Sequence, residues 1–249
     1  MMSSRVIVFV KDLSAAETAC DSIRRCPILG FDMEGKNLGR NASVSLVQIA
    51  VSPTLVYLFD VLALGASLFG PKTLLPILTD PCVLKLCYDC RCDCETLYHQ
   101  FAVQPYGFYD LQIVYTYLFQ NKGDPYLKGY HKALQMPGIL NPSLHEEALD
   151  LQSKIAFKKQ WKNADMGNVM FERPLYEALV NYCAIDVVYL FKMFEAWHIS
   201  RKFIVRLTYQ RIYQHLCRDD DARALRVMSE IDFGKYWRKP VIRVVGMNV

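Results

Sequence analysis

Asp32 and Glu34 close an apolar segment, residues 28–31, of the kind that forms a buried strand. Side chains at positions i and i+2 of an extended chain point to the same side, so the two carboxylates project into one volume. Carboxylates this close repel each other unless a cation lies between them, and hard oxygen ligands suit Mg²⁺ or Mn²⁺. The pair therefore predicts a divalent-cation site, with an ordinary acidic strand end as the alternative.

A second acidic group occupies residues 88–95, directly after the apolar segment 83–87. Asp89 and Asp93 are four residues apart, so they share one face if both are helical. If Asp89 instead caps the helix, Asp93 points toward the strand ends. Simple complementarity to the helix dipole would also explain an acid at position 93. The pattern favours Asp93 as a site residue, with Asp89 as its rival.

A third group is Tyr182 and Asp186, four residues apart in a segment with helical periodicity. This spacing places a phenol one turn from a carboxylate. A phenol in that position can hydrogen-bond a water held by the cation and orient it for attack. The pattern is common by chance, so its weight comes from the other two groups.

The elements that must position these residues alternate between short β-branched runs and helical patterns, which is typical of an α/β layer structure. Strands are predicted at Val6–Val10, Ile28–Asp32, Val44–Ala50, Leu55–Phe59 and Val83–Cys87. Alternation along residues 43–50 predicts two faces, one with Val44, Leu46 and Gln48 and the other with Ser45, Val47 and Ile49.

Helices are predicted at Leu13–Arg25 and Leu74–Leu78. A third should begin at a capping box, Ser143 with Glu146, and run to about Lys162. A fourth should run from Pro174 to Trp197, with one or two more helices up to about Asp232. An irregular basic tail, Phe233–Val249, follows.

The composition is that of a globular protein, with 52% hydrophobic and 22% charged residues, and this excludes a disordered chain. No apolar run approaches the roughly 18 residues of a membrane span. The apolar stretch before Lys11 is also too short for a secretory signal. These features predict an intracellular protein, cytoplasmic or nuclear in the first place, with an organelle left open.

The nine cysteines are odd in number and mostly embedded in apolar patterns, so reduced and buried thiols are expected. The cluster of Cys90, Cys92 and Cys94 could offer thiolates to zinc. Structural zinc sites usually use two separated pairs of ligands, and the sequence offers no second pair. Small packing residues on a helix are the favoured interpretation.

The order and setting of the three acidic groups resemble a known family. Asp-x-Glu after a first strand, Asp at the start of a mid-chain helix and Tyr-x-x-x-Asp in a late helix resemble the DEDDy exonucleases, the RNase D-like branch of the RNase H-like nucleases. Residues 108–112, Phe-Tyr-Asp-Leu-Gln, resemble the family's Asp-Thr-Gln segment, and residues 173–175 resemble its Arg-Pro-Leu. Residues 56–61, 88–91 and 97–101 are most similar to the Egalitarian-like subgroup.

The resemblance covers roughly residues 5–197, and it implies an α/β fold with an RNase H-like mixed central sheet flanked by helices. It implies an exonuclease domain over residues 1–197, with residues 198–249 as a helical extension and basic tail packed on the same domain. The helical domains that follow the nuclease in bacterial RNase D have no evident counterpart in the last 50 residues.

The resemblance also implies a function and a set of roles. The chain would be a 3′-5′ exonuclease that hydrolyses single-stranded nucleic acid, RNA in preference to DNA, to 5′-mononucleotides with two divalent cations, Mg²⁺ or Mn²⁺. Asp32 would bridge the two cations, Glu34 and Asp186 would complete the first site, and Asp93 would support the second through water. Tyr182 would position the attacking water.

Two departures from the family pattern bear on substrate preference. Tyr88 stands where many relatives have His, and residues 126–138 contain Lys128, Tyr130 and His131 in place of a Leu-rich pattern.

The Egalitarian-like subgroup includes members that have lost metal ligands, so an inactive nucleic-acid-binding adaptor on the same fold is the alternative function. Every ligand position is filled here, which favours an enzyme. Asp110 is assigned a structural role, as a helix cap beside the site.

Candidate substrate-binding residues come from two basic segments. Lys36, Asn37 and Arg40 lie in the segment after the first motif and could contact the terminal nucleotide or its phosphate. Lys158 and Lys162 continue, with Lys154, a stripe at four-residue spacing that could meet a phosphate backbone. A solvated turn and a solvated helix face are the respective alternatives. The net charge of +4 is modest, but residues 190–249 hold twelve Lys/Arg against six Asp/Glu.

Overall fold

A computed structural model describes residues 5–121, 124, 126–140, 150, 152–153 and 168–217. The strands are β1 Val6–Val10, β2 Ile28–Lys36, β3 Ser43–Ser52, β4 Leu55–Asp60, β5 Leu84–Cys87 and β6 Phe108–Asp110. The helices are α1 Leu13–Ile23, α2 Val61–Leu64, α3 Leu75–Leu78, α4 Arg91–Phe101, α5 Leu111–Phe119, α6 Tyr130–Leu134, α7 Glu177–Ala196 and α8 Arg201–Leu216, with a 3₁₀ helix at Gly65–Phe69.

The six strands form one mixed sheet in the order β1-β4-β3-β2-β5-β6. β2 and β4 pair antiparallel with β3, whereas β1 with β4, β2 with β5, and β5 with β6 pair in parallel. Buried side chains form one cluster on each face: α5 and α7 pack on one side, and α1, α3 and α4 on the other, while α8 lies beside β6 and contributes to both clusters. The predicted RNase H-like mixed sheet with flanking helices is confirmed.

One predicted face pattern is wrong, and a β-bulge explains it. Along β2 and β3, Glu34 pairs with Leu46 but Gly35 pairs with Val44, so Ser45 is an extra residue on β3. An extra residue reverses the alternation of side chains on one side of it. Val44 therefore packs with Val47 and Ile49 in the cluster on the opposite face from Leu46.

The five predicted strands are present, with β2 four residues longer than predicted. β6 and α5 were not predicted, because β6 is only three residues long and runs directly into the helix.

Helix α7 begins at Glu177, three residues after the predicted start at Pro174. Before the helix, Arg173 binds the Asp60 carboxylate with two hydrogen bonds of 2.8 and 2.9 Å, which anchor this segment to the end of β4.

The extension predicted after residue 197 contains α8, which packs against β6 and α4. The predicted helix from Ser143 to Lys162 and the predicted tail, Phe233–Val249, lie outside the described residues. In the ranges that the structure covers, no helix has the length and apolar character needed to cross a membrane.

Candidate active site

Three carboxylates converge beside β2, a central strand of the sheet. Asp32 and Glu34 lie on β2 and Asp186 on α7, and one oxygen from each lies within 4.8 Å of the other two. All three side chains are half-buried. Among the residues that the structure describes, this is the single group of three or more His, Cys, Asp or Glu side chains gathered closely enough to hold a metal ion.

The convergence depends on how closely α7 approaches β2. Gly30, Asp32 and Glu34 are two residues apart, so they lie on the same side of the strand. A Cβ atom on Gly30 would lie 2.5 Å from the carbonyl oxygen of Val187, closer than such atoms can approach. The absence of a side chain at position 30 therefore lets α7 lie against the strand. Because Asp186 precedes Val187, its carboxylate reaches the two carboxylates of β2.

Tyr182 lies one turn before Asp186 on α7 and is 6% exposed. Burial raises the pKa of its phenol well above the usual value, and the charges of Asp186, Glu34 and Asp32 raise it further. The hydroxyl consequently keeps its proton throughout the neutral pH range. It can act as a hydrogen-bond donor beside the carboxylate group.

Asp93 occupies the first turn of α4, as predicted, and its side chain lines the same cleft as the three converging carboxylates. It is 6% exposed. Burial raises its pKa, and Cys90 and Glu34 are the next largest causes of the rise. The structure thus places Asp93 beside the group, although it is not one of the three mutually close ligands.

Asp89, the rival of Asp93, has a different environment. Its carboxylate accepts a 2.7 Å hydrogen bond from Arg91 and one of 3.2 Å from Arg211. Its backbone lies in the left-handed region, with φ of 67°. The residue that caps α4 is Cys90, so the expectation that Asp89 could be the cap is wrong. Two arginines hold the Asp89 carboxylate.

Asp110 is the N-cap of α5, in agreement with its predicted structural role. One of its carboxylate oxygens accepts a hydrogen bond from the backbone N–H of Gln112. The same oxygen accepts from the Asp89 amide at 2.8 Å, and the other accepts from Arg211 at 2.7 Å. Burial raises the pKa of Asp110 to about 7, and the charge of Arg211 opposes the rise. Asp89, Asp110, Arg91 and Arg211 form a buried ion-pair network beneath the cleft.

Sequence reasoning missed Arg211 and His215, both on α8. His215 lies 2.8 Å from the Glu95 carboxylate, and His215 and Glu95 line the cleft. A signal was present in the sequence: the two residues lie four apart on the stripe that Ile204, Thr208 and Ile212 mark as the packed face. A cation on such a face indicates a buried acidic partner.

The cleft has a volume of about 780 Å³. The departures from the family pattern lie in its wall, where Tyr88, Tyr130 and His131 line it. The rings of Tyr88 and Tyr130 pack edge to face at 5.4 Å. Tyr130 donates to the Ile185 carbonyl at 2.8 Å, which fixes its ring next to α7. An aromatic pair thus stands beside the carboxylates.

Of the candidate substrate-binding residues, Asn37 lines the cleft, whereas Lys36 and Arg40 do not. Lys36 donates to Asn168 and lies over the ring of Phe171. Arg40 lies 3.6 Å from Glu95, and its guanidinium donates to the Leu216 carbonyl. Lys36 and Arg40 are directed by these contacts and not toward the cleft. Lys158 and Lys162 lie outside the described residues.

All nine cysteines are free thiols; five are buried, as expected, whereas Cys82 and Cys217 are exposed. Cys90 and Cys94 are buried on one side of α4, while Cys92 is half-buried and lines the cleft. The three thiols therefore do not face one point. The zinc alternative is not supported, because the carboxylate group is the candidate metal cluster in the described part of the chain.

Comparison with known proteins places these features in a family. The sequence model of the 3′-5′ exonuclease domain matches residues 7–198. The piRNA biogenesis protein EXD1 of Xenopus laevis is 29% identical over 165 residues, covering 66% of this chain and 35% of the relative. Human EXD1 is 28% identical over 168 residues, covering 68% and 32%. The chain therefore spans only about a third of the length of these relatives.

Solved structures of similar fold include RNase D of Trypanosoma brucei, with a TM-score of 0.69 at 23% identity, covering 89% of this chain and 78% of that chain. The same enzyme in complex with U12 RNA gives 0.66 at 22% identity, covering 93% and 77%. Escherichia coli RNase D, an exoribonuclease involved in structured RNA processing, gives 0.57 at 17% identity, covering 86% and 51%. At these identities the likeness establishes a shared fold.

Proposed function

Because the chain belongs to the 3′-5′ exonuclease family and has the RNase D-like fold, we propose that it removes 5′-mononucleotides from the 3′ end of single-stranded nucleic acid, with RNA as the favoured substrate. The observation that carries this proposal is the convergence of Asp32, Glu34 and Asp186 within 4.8 Å, beside a buried tyrosine. An intracellular location, cytoplasmic or nuclear, belongs to the same proposal.

The donor set fits divalent cations. All of the converging ligand atoms are carboxylate oxygens, and hard oxygen ligands suit Mg²⁺ and Mn²⁺. Asp32, Glu34 and Asp186 would hold one such cation, and Asp32 and Asp93 would serve a second. When bound, such a pair stabilises the attacking and leaving oxygens of an in-line displacement at phosphorus.

The protein groups orient the reactants. The Tyr182 hydroxyl, which keeps its proton because burial raises its pKa, hydrogen-bonds the attacking water and fixes its direction. The water oxygen forms a bond to the phosphorus of the terminal nucleotide, and the bond from that phosphorus to the 3′ oxygen of the preceding nucleotide breaks. The water's proton is transferred to that 3′ oxygen, so the product is a 5′-mononucleotide.

The preference for RNA is supported by two comparisons. Trypanosoma brucei RNase D has been solved with RNA, and the relatives of highest identity to this chain among those described above are named for piRNA biogenesis. The aromatic pair Tyr88 and Tyr130 in the cleft wall offers a surface against which a terminal base can stack. We extend to this chain only the chemical class of the substrate, single-stranded RNA.

The test is incubation of the wild type and Asp32→Ala with single-stranded RNA and DNA labelled at the 5′ end, in Mg²⁺, Mn²⁺ or EDTA. The wild type should shorten RNA one nucleotide at a time in either metal and should be inactive in EDTA. Asp32→Ala should be inactive throughout. Asp21→Ala, which removes an exposed acid on α1, should retain wild-type activity.

Two outcomes would change the proposal. Stable RNA in every metal, with wild type and Asp32→Ala alike, would contradict an enzyme and support a nucleic-acid-binding adaptor on the same fold. Shortening of DNA at an equal or higher rate would contradict the RNA preference and leave the exonuclease intact.

A further inference from the structure

Helix α8 has two faces of different chemistry. Its inner face packs against β6 and α4, through Ile204, Leu207, Thr208, Arg211, Ile212 and His215. Its outer face is solvent-exposed and presents Lys202, Arg206, Tyr209 and Tyr213. The spacing of four, three and four residues places these four side chains in one stripe along the helix. The inner contacts fix the direction in which the stripe faces.

Helix α8, which carries the stripe, runs from one end of the sheet toward the cleft. At the start of α8, Arg201 donates to the carbonyl of Cys82, which precedes β5. Near its end, Arg211 binds Asp110 at the end of β6, and His215 lines the cleft. The helix therefore rises alongside β6 toward the carboxylate group. From Lys202 to Tyr213 the stripe is about 16 Å long at the α-helical rise per residue.

The half of the stripe next to the cleft is aromatic. Tyr213 is 59% exposed and Tyr209 44%. The ring of Tyr209 lies parallel to that of Tyr106, with an interplanar angle of 7° and centroids 6.3 Å apart, and Tyr106 is 38% exposed. Three exposed tyrosines together form an unusually apolar patch for a surface helix. They offer ring faces to a planar ligand.

The other half is cationic. Arg201, Lys202 and Arg206 are exposed, and residues 201–217 include no Asp or Glu. Positive charge next to exposed aromatic rings is the combination that binds single-stranded nucleic acid, because phosphates pair with the cations while bases stack on the rings.

We propose that the outer face of α8, with Tyr106, is a binding track for the single-stranded nucleic acid whose 3′ end occupies the cleft. Bases stack on Tyr213 and on the Tyr209 and Tyr106 pair, and phosphates further from the 3′ end contact Arg206 and Lys202. The direction of the strand rests on the proposed exonuclease function, whereas the binding itself does not. Stacking of this kind tolerates any base, so the track confers affinity without sequence preference.

The aromatic half is tested by Tyr209→Ala/Tyr213→Ala. Its affinity for a labelled oligonucleotide of about 16 nucleotides is measured in EDTA, where no strand is cut, with RNA and with DNA. Loss of two stacking surfaces should weaken binding about tenfold or more, and hydrolysis of a dinucleotide, too short to reach the helix, should be unchanged. The matched control is Phe9→Ala/Leu13→Ala, which removes two exposed apolar side chains, one on β1 at the opposite edge of the sheet and one at the start of α1.

The cationic half is tested by Lys202→Ala/Arg206→Ala. The slope of log affinity against log salt concentration should become shallower by about 1.4, since each phosphate contact on a single strand contributes about 0.7. Lys11→Ala/Lys72→Ala removes the same charge from exposed positions elsewhere and should leave the slope near that of the wild type.

Unchanged affinity and salt slope in both α8 variants would overturn the track, whatever the activity of the cleft. A loss of self-association in these variants, with nucleic-acid affinity unchanged, would equally overturn it and assign the face to a protein contact. Weakened binding in a protein that hydrolyses nothing would support the track and contradict the exonuclease proposal alone. Weakening with RNA but not with DNA would support the track and restrict its ligand to RNA.

Discussion

Two groups of acidic residues lie in and beneath the cleft, and they differ in what surrounds their charge. Asp89 and Asp110 are held by Arg91 and Arg211 at 2.7 to 3.2 Å, in a network that is almost fully buried. Asp32, Glu34 and Asp186 are gathered against one another within 4.8 Å and are half-buried. The first group is paired with arginines, whereas the second is a cluster of carboxylates whose donor set fits the proposed cations.

The difference separates stability from activity. A buried carboxylate that loses its arginine is left as an uncompensated charge, which costs stability. A carboxylate that leaves a cluster of like charges relieves repulsion. Substitutions in the two groups should therefore have opposite signatures, and the following predictions test this from the largest expected effect to the smallest.

Asp186→Asn should lower the rate of nucleotide release by about a thousandfold or more, since cation stabilisation of the displacement is worth several kcal/mol. The free energy of unfolding should stay the same or rise, because one like charge has been removed. Single-turnover hydrolysis and urea denaturation measure the two quantities. A variant that loses stability and activity together would place Asp186 in the same class as Asp110.

Arg211→Met should lower the free energy of unfolding by about 3–5 kcal/mol, because Asp89 and Asp110 lose a buried cation. Urea denaturation measures the loss. The control is Asp21→Asn, which weakens the exposed pair with Arg24 and should cost only about 0–1 kcal/mol. Equal losses in the two variants would show that the buried network does not stabilise the fold.

Tyr182→Phe should lower kcat by about a hundredfold, the contribution expected of a positioned proton-bearing group, with KM and stability near those of the wild type. Steady-state kinetics on a short oligonucleotide measure kcat and KM separately. Tyr130→Phe is the control: it removes the bond to the Ile185 carbonyl and should cost about 1 kcal/mol of stability with a smaller effect on kcat. A larger fall in kcat for Tyr130→Phe would transfer the orienting role to that residue.

Mg²⁺ or Mn²⁺ at tenfold excess over its dissociation constant should stabilise the wild type by about 1.4 kcal/mol, and should raise Tm by about 3–6 °C. Asp186→Asn should show a smaller rise, and EDTA should abolish it in both. Thermal unfolding across a metal titration provides the readout. An equal rise in the variant would mean that the cations bind elsewhere.

Local geometry predicted two pairs of side chains that the structure brings together in the cleft. Asp32 and Glu34 share a side of a strand by the two-residue period, and Tyr182 and Asp186 share a side of a helix by the four-residue period. Motif order then led to the RNase D-like resemblance, which the match over residues 7–198 confirms. The strands were also predictable, because each of the five longest contains or adjoins a short apolar run of its own.

Only the tertiary structure showed that Asp89, and not Asp93, is the acid paired with arginines. Asp89 and Asp93 are equivalent in spacing, but Arg211, which binds Asp89, lies more than a hundred residues further along the chain. The contacts of Lys36 with Asn168 and of Arg40 with Glu95 also become visible only in the tertiary structure. Periodicity describes the direction of a side chain within its own element, whereas the charge that neutralises it comes from an element that the fold brings alongside.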